Sequence, residues 1–280
     1  MDGHFRAFSF VDRIGPLGIG RHVRGRYTIP SGIPAFPGAL VAEAVGQLAA
    51  WMAMATVDFQ SRPVAGLAAS IDLLSAVRPG QVLELEAEME SVDAEAVAYH
   101  GTAQVDGVPV IRLQHCVGPM VPVEEFDDPA ALRDRFALLC GAGATPGAFG
   151  GVSSLPLESD GGEEGQSLRA SLLVPDHAPF FADHFPRRPV LPGALLMNSS
   201  FELVAALAAS LPAPAAGGRW VLRGVSDVKL RAFTPPGETL QLEARLNQHS
   251  ADAALVSVEI RRSGRIVGGS RVRLVAEGLV

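Results

Sequence analysis

The chain has 280 residues, 48% of them hydrophobic and 6% aromatic, with a formal net charge of −7. That length holds two small cores or one large one, and an acidic balance without a basic run excludes nucleic acid as an expected partner. Two cysteines, Cys116 and Cys140, with no Cys-x-x-Cys or Cys/His cluster, argue against a disulfide framework or a metal site and for a reduced, cytoplasmic setting.

In chain order, Met1 to Arg13 mixes charged and apolar residues and lacks the apolar core of a secretory signal. Gly38 to about Val57 is apolar on nearly every face, so a buried helix is expected. Glu43, Gly46 and Gln47 interrupt it, which disfavours a membrane span. Pro37 suits its first turn. Val82 to Met89 alternates, with Leu83, Leu85, Ala87 and Met89 on one face and glutamates on the other, the pattern of a half-buried strand. Val108 to Val117 follows the turn Asp106-Gly107. From Val123 to about Gly165 the chain reads as a linker. It has an acidic stretch, a short helix at Pro129 to Leu139, and loose segments at Gly141 to Gly151 and Asp160 to Gly165. A second apolar helix runs from Gly193 to Ser210 and stops before Pro212. Strands follow at Thr239 to Leu246, Ala253 to Arg261 and Arg265 to Ala276, with a turn at Ser263-Gly264. His22, His100, His115, His177 and His249 read as solvated or satisfied, and Trp51 and Trp220 as packing.

One buried helix followed by antiparallel strands, twice over, predicts α+β domains whose sheets wrap their helices. The expected units are residues 1–125, a linker at 126–165, and 166–280. The halves repeat in sequence. Pro37-Gly38-Ala39-Leu40 recurs as Pro192-Gly193-Ala194-Leu195, 155 residues on, and Pro79-Gly80 recurs as Pro236-Gly237, 157 residues on. Near-constant spacing over so long a period means tandem domains.

Each copy has lost part of its polar equipment. The second carries His184 before its helix, but Asn198 stands where the first has Glu43, and Glu202 where the first has Gln47. The first copy has no histidine ahead of its Pro-Gly. Counting without gaps puts Ile29 there, whereas residue spacing suggests about ten residues missing from that loop. Together the copies make one acid/base pair, His184 with Glu43, and one dead site.

Phe180-Phe181-Ala182-Asp183-His184-Phe185-Pro186, running on to Pro192-Gly193, closely resembles the histidine loop of the β-hydroxyacyl-[acyl-carrier-protein] dehydratases of type II fatty-acid synthesis. Phe8 to Ile14 and Pro37 to Gln47 resemble that family's N-terminal segment and acid-bearing helix. The resemblance covers most of both halves but not the linker. It implies the hotdog fold, here a tandem double hotdog paired as a pseudo-dimer with its two helices side by side. It also implies dehydration of 3-hydroxyacyl thioesters to trans-2-enoyl thioesters in fatty-acid or polyketide-type synthesis. The substrate would arrive on the phosphopantetheine of acyl carrier protein, with no other cofactor and no metal.

In that reading His184 removes the α-proton, Glu43 protonates the leaving hydroxyl, Gln47 orients Glu43, and the Gly193 N–H stabilises the thioester oxygen. Phe185, Pro192, Leu195 and Leu196 are the expected acyl contacts, along a tunnel following the second helix. Arg187, Arg188, Lys229 and Arg231 are expected to receive the carrier or its phosphate, or else to be a solvated face. A homodimer of such chains is compatible with the resemblance. Two other readings stand beside it: a hotdog thioesterase, and a non-catalytic acyl-chain or carrier-binding pseudo-dimer.

Overall fold

Each half is built on one apolar helix, and a continuous antiparallel sheet wraps both. The structure, a computed structural model, describes residues 4–146, 149–151, 155–214 and 218–278. The first half contributes β1 (Arg13–Gly18), β2 (His22–Thr28), α1 (Gly38–Thr56), β3 (Ser61–Pro63), β4 (Leu67–Leu73), β5 (Val82–Val92), β6 (Ala96–Val105) and β7 (Val108–Pro122). After α2 (Pro129–Cys140), the second half follows as β8 (Leu157–Glu163), β9 (Ser167–Leu173), α3 (Gly193–Ala208), β10 (Arg219–Leu230), β11 (Thr239–His249), β12 (Ala253–Arg262) and β13 (Arg265–Glu277).

The sheet order is β1-β2-β5-β6-β7-β4-β10-β13-β12-β11-β9-β8, with β3 paired to β7. Read from the centre outwards, each half places its strands in the same sequence. The halves meet where β4 pairs antiparallel with β10, from Asp72 opposite Gly224 to Leu67 opposite Lys229. The helices α1 and α3 pack on each other over this seam. α1 is long and apolar enough to cross a membrane by length and composition, yet 67% of that window is buried inside the fold, so its apolar faces already have partners.

Local chemistry explains most elements. Leu83, Leu85 and Ala87 of β5 face the core while Glu84 and Glu88 face out, as the alternation requires. The turns at Asp106-Gly107 and Ser263-Gly264 put both residues in the left-handed region, the two-residue hairpin geometry that suits right-twisted strands. Asp128 caps α2 by accepting from the Ala130 N–H at 3.1 Å.

The repeat persists in hydrogen bonding. Ile29 N–H donates to Gln81 O and its carbonyl accepts from Gly80; Val174 makes the same pair of bonds with Glu238 and Gly237. Both glycines have positive φ, 87° and 77°. Ile29 is therefore the counterpart of Val174, and not of His184. From this shared point to the helix the first half is ten residues shorter, which leaves no room for a histidine loop.

Three sequence expectations change. Pro37 sits immediately before α1, in extended conformation, rather than within the first turn. Asp160 to Glu163 belong to β8, hydrogen-bonded to β9, and are not loose linker, because β9 otherwise offers an open edge. Phe149, also assigned to the linker, is buried edge-on against Phe10, 5.0 Å between ring centroids. Residues 147–148 of that expected loose segment lie outside the described residues.

Gly101 in β6 lets α1 approach the sheet. A Cβ there would lie 2.5 Å from Val45 Cγ1 and 2.7 Å from Glu86 O. Gly101→Ala should destabilise the chain by about 1–3 kcal/mol in chemical denaturation, the usual scale for overpacking.

Candidate active site

His184 lies in the loop between a 3₁₀ turn (Pro179–Ala182) and α3. Two contacts close that loop on itself: Val190 N–H donates to His184 O at 3.1 Å, and His184 Nδ1 lies 3.1 Å from Val190 O. A carbonyl only accepts, so Nδ1 carries the proton and Nε2 the lone pair. Burial pushes the imidazole down to about 4, with a smaller push from the Arg62 guanidinium, and the contact to Val190 O opposes both. At neutral pH His184 is an uncharged base.

Glu43 lies one turn into α1. Burial raises its carboxyl above the ordinary range, against the opposing pull of Gln47 and Arg62. Gln47 donates to Glu43 Oε1 at 3.0 Å from the next turn. The same amide donates to Phe8 O at 2.9 Å and accepts from Phe10 N–H at 2.7 Å. Gln47 is thus locked on three sides and fixes the carboxyl it touches.

Glu43, Gln47, His184, Phe185, Gly193 and Leu196 line one cavity of about 230 Å³. At the start of α3, Leu195 and Leu196 N–H turn back to Pro192 O at 3.0 and 3.2 Å. The Gly193 and Ala194 N–H groups precede any intrahelical acceptor and are open to an incoming oxygen. A Cβ on Gly193 would meet Leu230 Cδ1 at 2.5 Å, so glycine lets the strand side chain close over the helix start.

The rest of the cavity departs from expectation. Leu195 and Pro192 are buried but do not line it, because they face the core at the helix start. Beyond Leu196, Met197 and Ser200, most lining comes from the first half: Ala42, Ala50, Trp51 and Met54 of α1, and Val97, Tyr99, Leu113 and Cys116 of its sheet. The tunnel follows α1 as much as α3, and Trp51 is a wall as well as packing. Burial raises the Tyr99 hydroxyl and pushes the Cys116 thiol up to about 11, so both stay uncharged.

Arg187, Arg188 and Arg231 lie off the cavity. Arg187 donates to Glu124 O at 2.9 Å, and Arg188 pairs with Glu125 at 3.4 Å over the rings of Phe126 and Phe233. These contacts tie the histidine loop to the segment before α2. Arg231 and Lys229 are exposed, and so are His22, His100, His115, His177 and His249.

Sequence reasoning passed over Arg62 and Asp183. Asp183 accepts from the Phe5 and Phe8 N–H groups, the latter at 2.6 Å, and from Ser9 Oγ at 3.2 Å, fastening the histidine loop to the N-terminal segment. Arg62 falls in no motif and only the fold brings it to the cavity, whereas Asp183 stands inside the histidine-loop motif but its partners lie in the N-terminal segment, far away in sequence. On the other side, Asn198 donates to Glu202 at 2.9 Å, away from the cavity, and there is no histidine loop to face it.

A long helix wrapped by an antiparallel sheet, in each half, defines a hotdog-fold protein. Solved structures agree on the fold. The chain is similar to the 12:0-ACP thioesterase from Umbellularia californica, with TM-score 0.57 and 10% identity over 91% of this chain and 94% of that one. It is also similar to a MaoC-like dehydratase, with TM-score 0.51 and 13% identity over 92% and 98%. The family model for ApeI dehydratases (ApeI-like) matches residues 160–267, a span holding His184 but not Glu43. FabZ 3-hydroxyacyl-[acyl-carrier-protein] dehydratase of Rickettsia rickettsii is 30% identical over 106 residues, 38% of this chain and 73% of that protein. FabZ of Roseiflexus sp. is 36% identical over 86 residues, 31% of this chain. The chain spans 59% of the length of that relative. The chain belongs to the FabZ 3-hydroxyacyl-[acyl-carrier-protein] dehydratase family.

A pH test follows from Glu43. With its carboxyl raised in the folded chain, its contribution is favourable at acid pH and is lost as pH rises from the unfolded value of 4.5 through the folded one. Glu43→Gln should therefore melt higher than the parent at pH 8 and no higher at pH 4. Scanning calorimetry at both values checks this; an equal difference at both would remove the buried acid.

Proposed function

We propose that the chain dehydrates 3-hydroxyacyl thioesters carried on acyl carrier protein to trans-2-enoyl thioesters, using one composite site. The carrying observation is an uncharged histidine with a free Nε2 and a carboxyl held towards its protonated form, both lining one cavity at the start of α3.

In this reading the two halves act as paired hotdogs within one chain. The first, about residues 1–125, supplies Glu43; the second, which begins with β8 ahead of the expected boundary at 166 and runs to 280, supplies His184. The thioester oxygen sits at the Gly193 and Ala194 N–H groups, which stabilise the negative charge formed as the α-proton leaves. His184 Nε2 takes that proton. Glu43 gives its proton to the β-hydroxyl, the C–O bond breaks, and water leaves. The proton on His184 then returns through solvent to Glu43, restoring both. Gln47 keeps Glu43 aimed throughout. Apart from Glu43, Arg62, Asp183 and His184 the cavity wall carries no ionisable charge, which suits an acyl tail. The reading includes a reducing cytoplasm, in which Cys116 and Cys140 remain free thiols.

Incubation with 3-hydroxyacyl-carrier substrate should yield the enoyl thioester; release of free acid would instead indicate a thioesterase. His184→Ala and Glu43→Gln should each lower the rate about a hundredfold or more. The double variant should lose little beyond the worse single one, because the two groups act as a unit. Asn198→Glu should restore nothing, since no histidine faces it, and a gain in rate there would overturn the single-site reading.

A further inference from the structure

Arg62 is the one lysine or arginine among the described cavity residues, and it lines the same space as Glu43 and His184. It comes from β3, the short strand after α1, and its side chain is only 12% exposed. Two contacts hold it. Nη1 lies 3.1 Å from Asp127 Oδ2, and the guanidinium carbon lies 3.8 Å from the Phe185 ring centroid. Phe185 in turn stacks on His184 with 4.1 Å between centroids. Arg62 Nε is buried and has no partner among the described residues. A buried pair of this kind adds little to stability over apolar packing, so folding alone gives no reason for it.

We propose that Arg62 is a positioning residue of the acid/base pair: clamped between Asp127 and the Phe185 ring, it holds a fixed positive charge that favours the carboxylate form of Glu43 and the neutral form of His184. The inference rests on the dehydratase reading. In that reaction Glu43 ends the proton transfer negative and His184 ends it positive. A cation beside them makes the acid a readier donor and keeps the base unprotonated to lower pH.

The electrostatics agree in direction: Arg62 lowers both Glu43 and His184, and Glu43 and Asp127 both act to hold Arg62 protonated. Burial brings Arg62 down to about 10, which leaves it charged at neutral pH. The other groups facing this cluster are accounted for. His4 Nε2 lies 3.4 Å from Asp127, Asp183 is held by the N-terminal segment, and Arg135 acts on Asp183 from α2. Tyr99 and Cys116 are uncharged.

The test uses the full chain with isotope-labelled histidine, following the His184 imidazole by NMR as pH is varied, a readout that needs no turnover. Arg62→Gln should move the His184 midpoint up by about half a unit to one unit. Both limbs of the pH–rate profile for dehydration should move up with it, because the base and the acid shift in the same direction. Arg62→Lys should keep both close to the parent. If Arg62→Gln does not fold, the double change Arg62→Met with Asp127→Asn leaves no unpaired buried charge and should give the same upward movement. A folded neutral variant with an unmoved His184 midpoint overturns the proposal, as does a lysine variant that behaves like glutamine. An active parent with an unmoved midpoint removes the role of Arg62 alone. An inactive parent whose midpoint still moves removes the dehydratase reading alone.

Discussion

The backbone from Phe8 to Phe10 is the strip on which the site depends. Phe8 N–H is held by Asp183, one residue before the histidine of the second half. Phe8 O and Phe10 N–H are held by Gln47, the residue that orients the carboxyl of the first half. One short segment thus contacts both halves and fixes each partner of the pair against the other. The phenyl ring of Phe8 also stands edge-on to His184, 6.0 Å between ring centroids. Two groups on separate domains stay in register only if something spans them, and backbone hydrogen bonds do so at little entropic cost once the strip is ordered.

Around that strip the protein keeps polarity local. Glu43, Gln47, Arg62, Asp127, Asp183 and His184 form a cluster in which most charged or polar atoms find a partner, while the remaining cavity wall is apolar or uncharged. Low dielectric surroundings make each of these interactions stronger and each unpaired one costlier. The opposite side shows what happens without the arrangement. Asn198 and Glu202 keep the spacing of Glu43 and Gln47 with the acid and amide exchanged, but Glu202 is exposed and the ten-residue loop that would face them is missing.

Both apolar helices, the alternation of β5, the two Gly-containing hairpin turns and the short helix α2 were legible in the residues, because each follows from local periodicity or turn chemistry. The duplication was legible because matched Pro-Gly sites recur at near-constant spacing. Strands β1, β2, β4, β9 and β10 left no clear pattern: their burial depends on the partner strand and on which face a helix covers, which no local window contains. The same holds for Asp160 to Glu163, polar residues that form a strand because β9 needs an edge partner.

The sequence by itself determined the chemistry that is available. His184 and Glu43 stand in motifs whose neighbours set a loop and a buried helix, and Gln47 follows at the one spacing that meets Glu43. The tertiary structure decided what those groups experience. It joined β4 to β10, so that α1 and α3 lie together and the two partners face one cavity. It turned Leu195 into the core and brought Met54, Val97 and Cys116 to the cavity instead. It tied Arg187 and Arg188 to the segment before α2, and it placed Arg62, from a three-residue strand with no motif, beside the acid and the base. Burial and proximity between residues far apart in the chain set proton affinities and cavity shape, and these exist only once the sheet is closed around both helices.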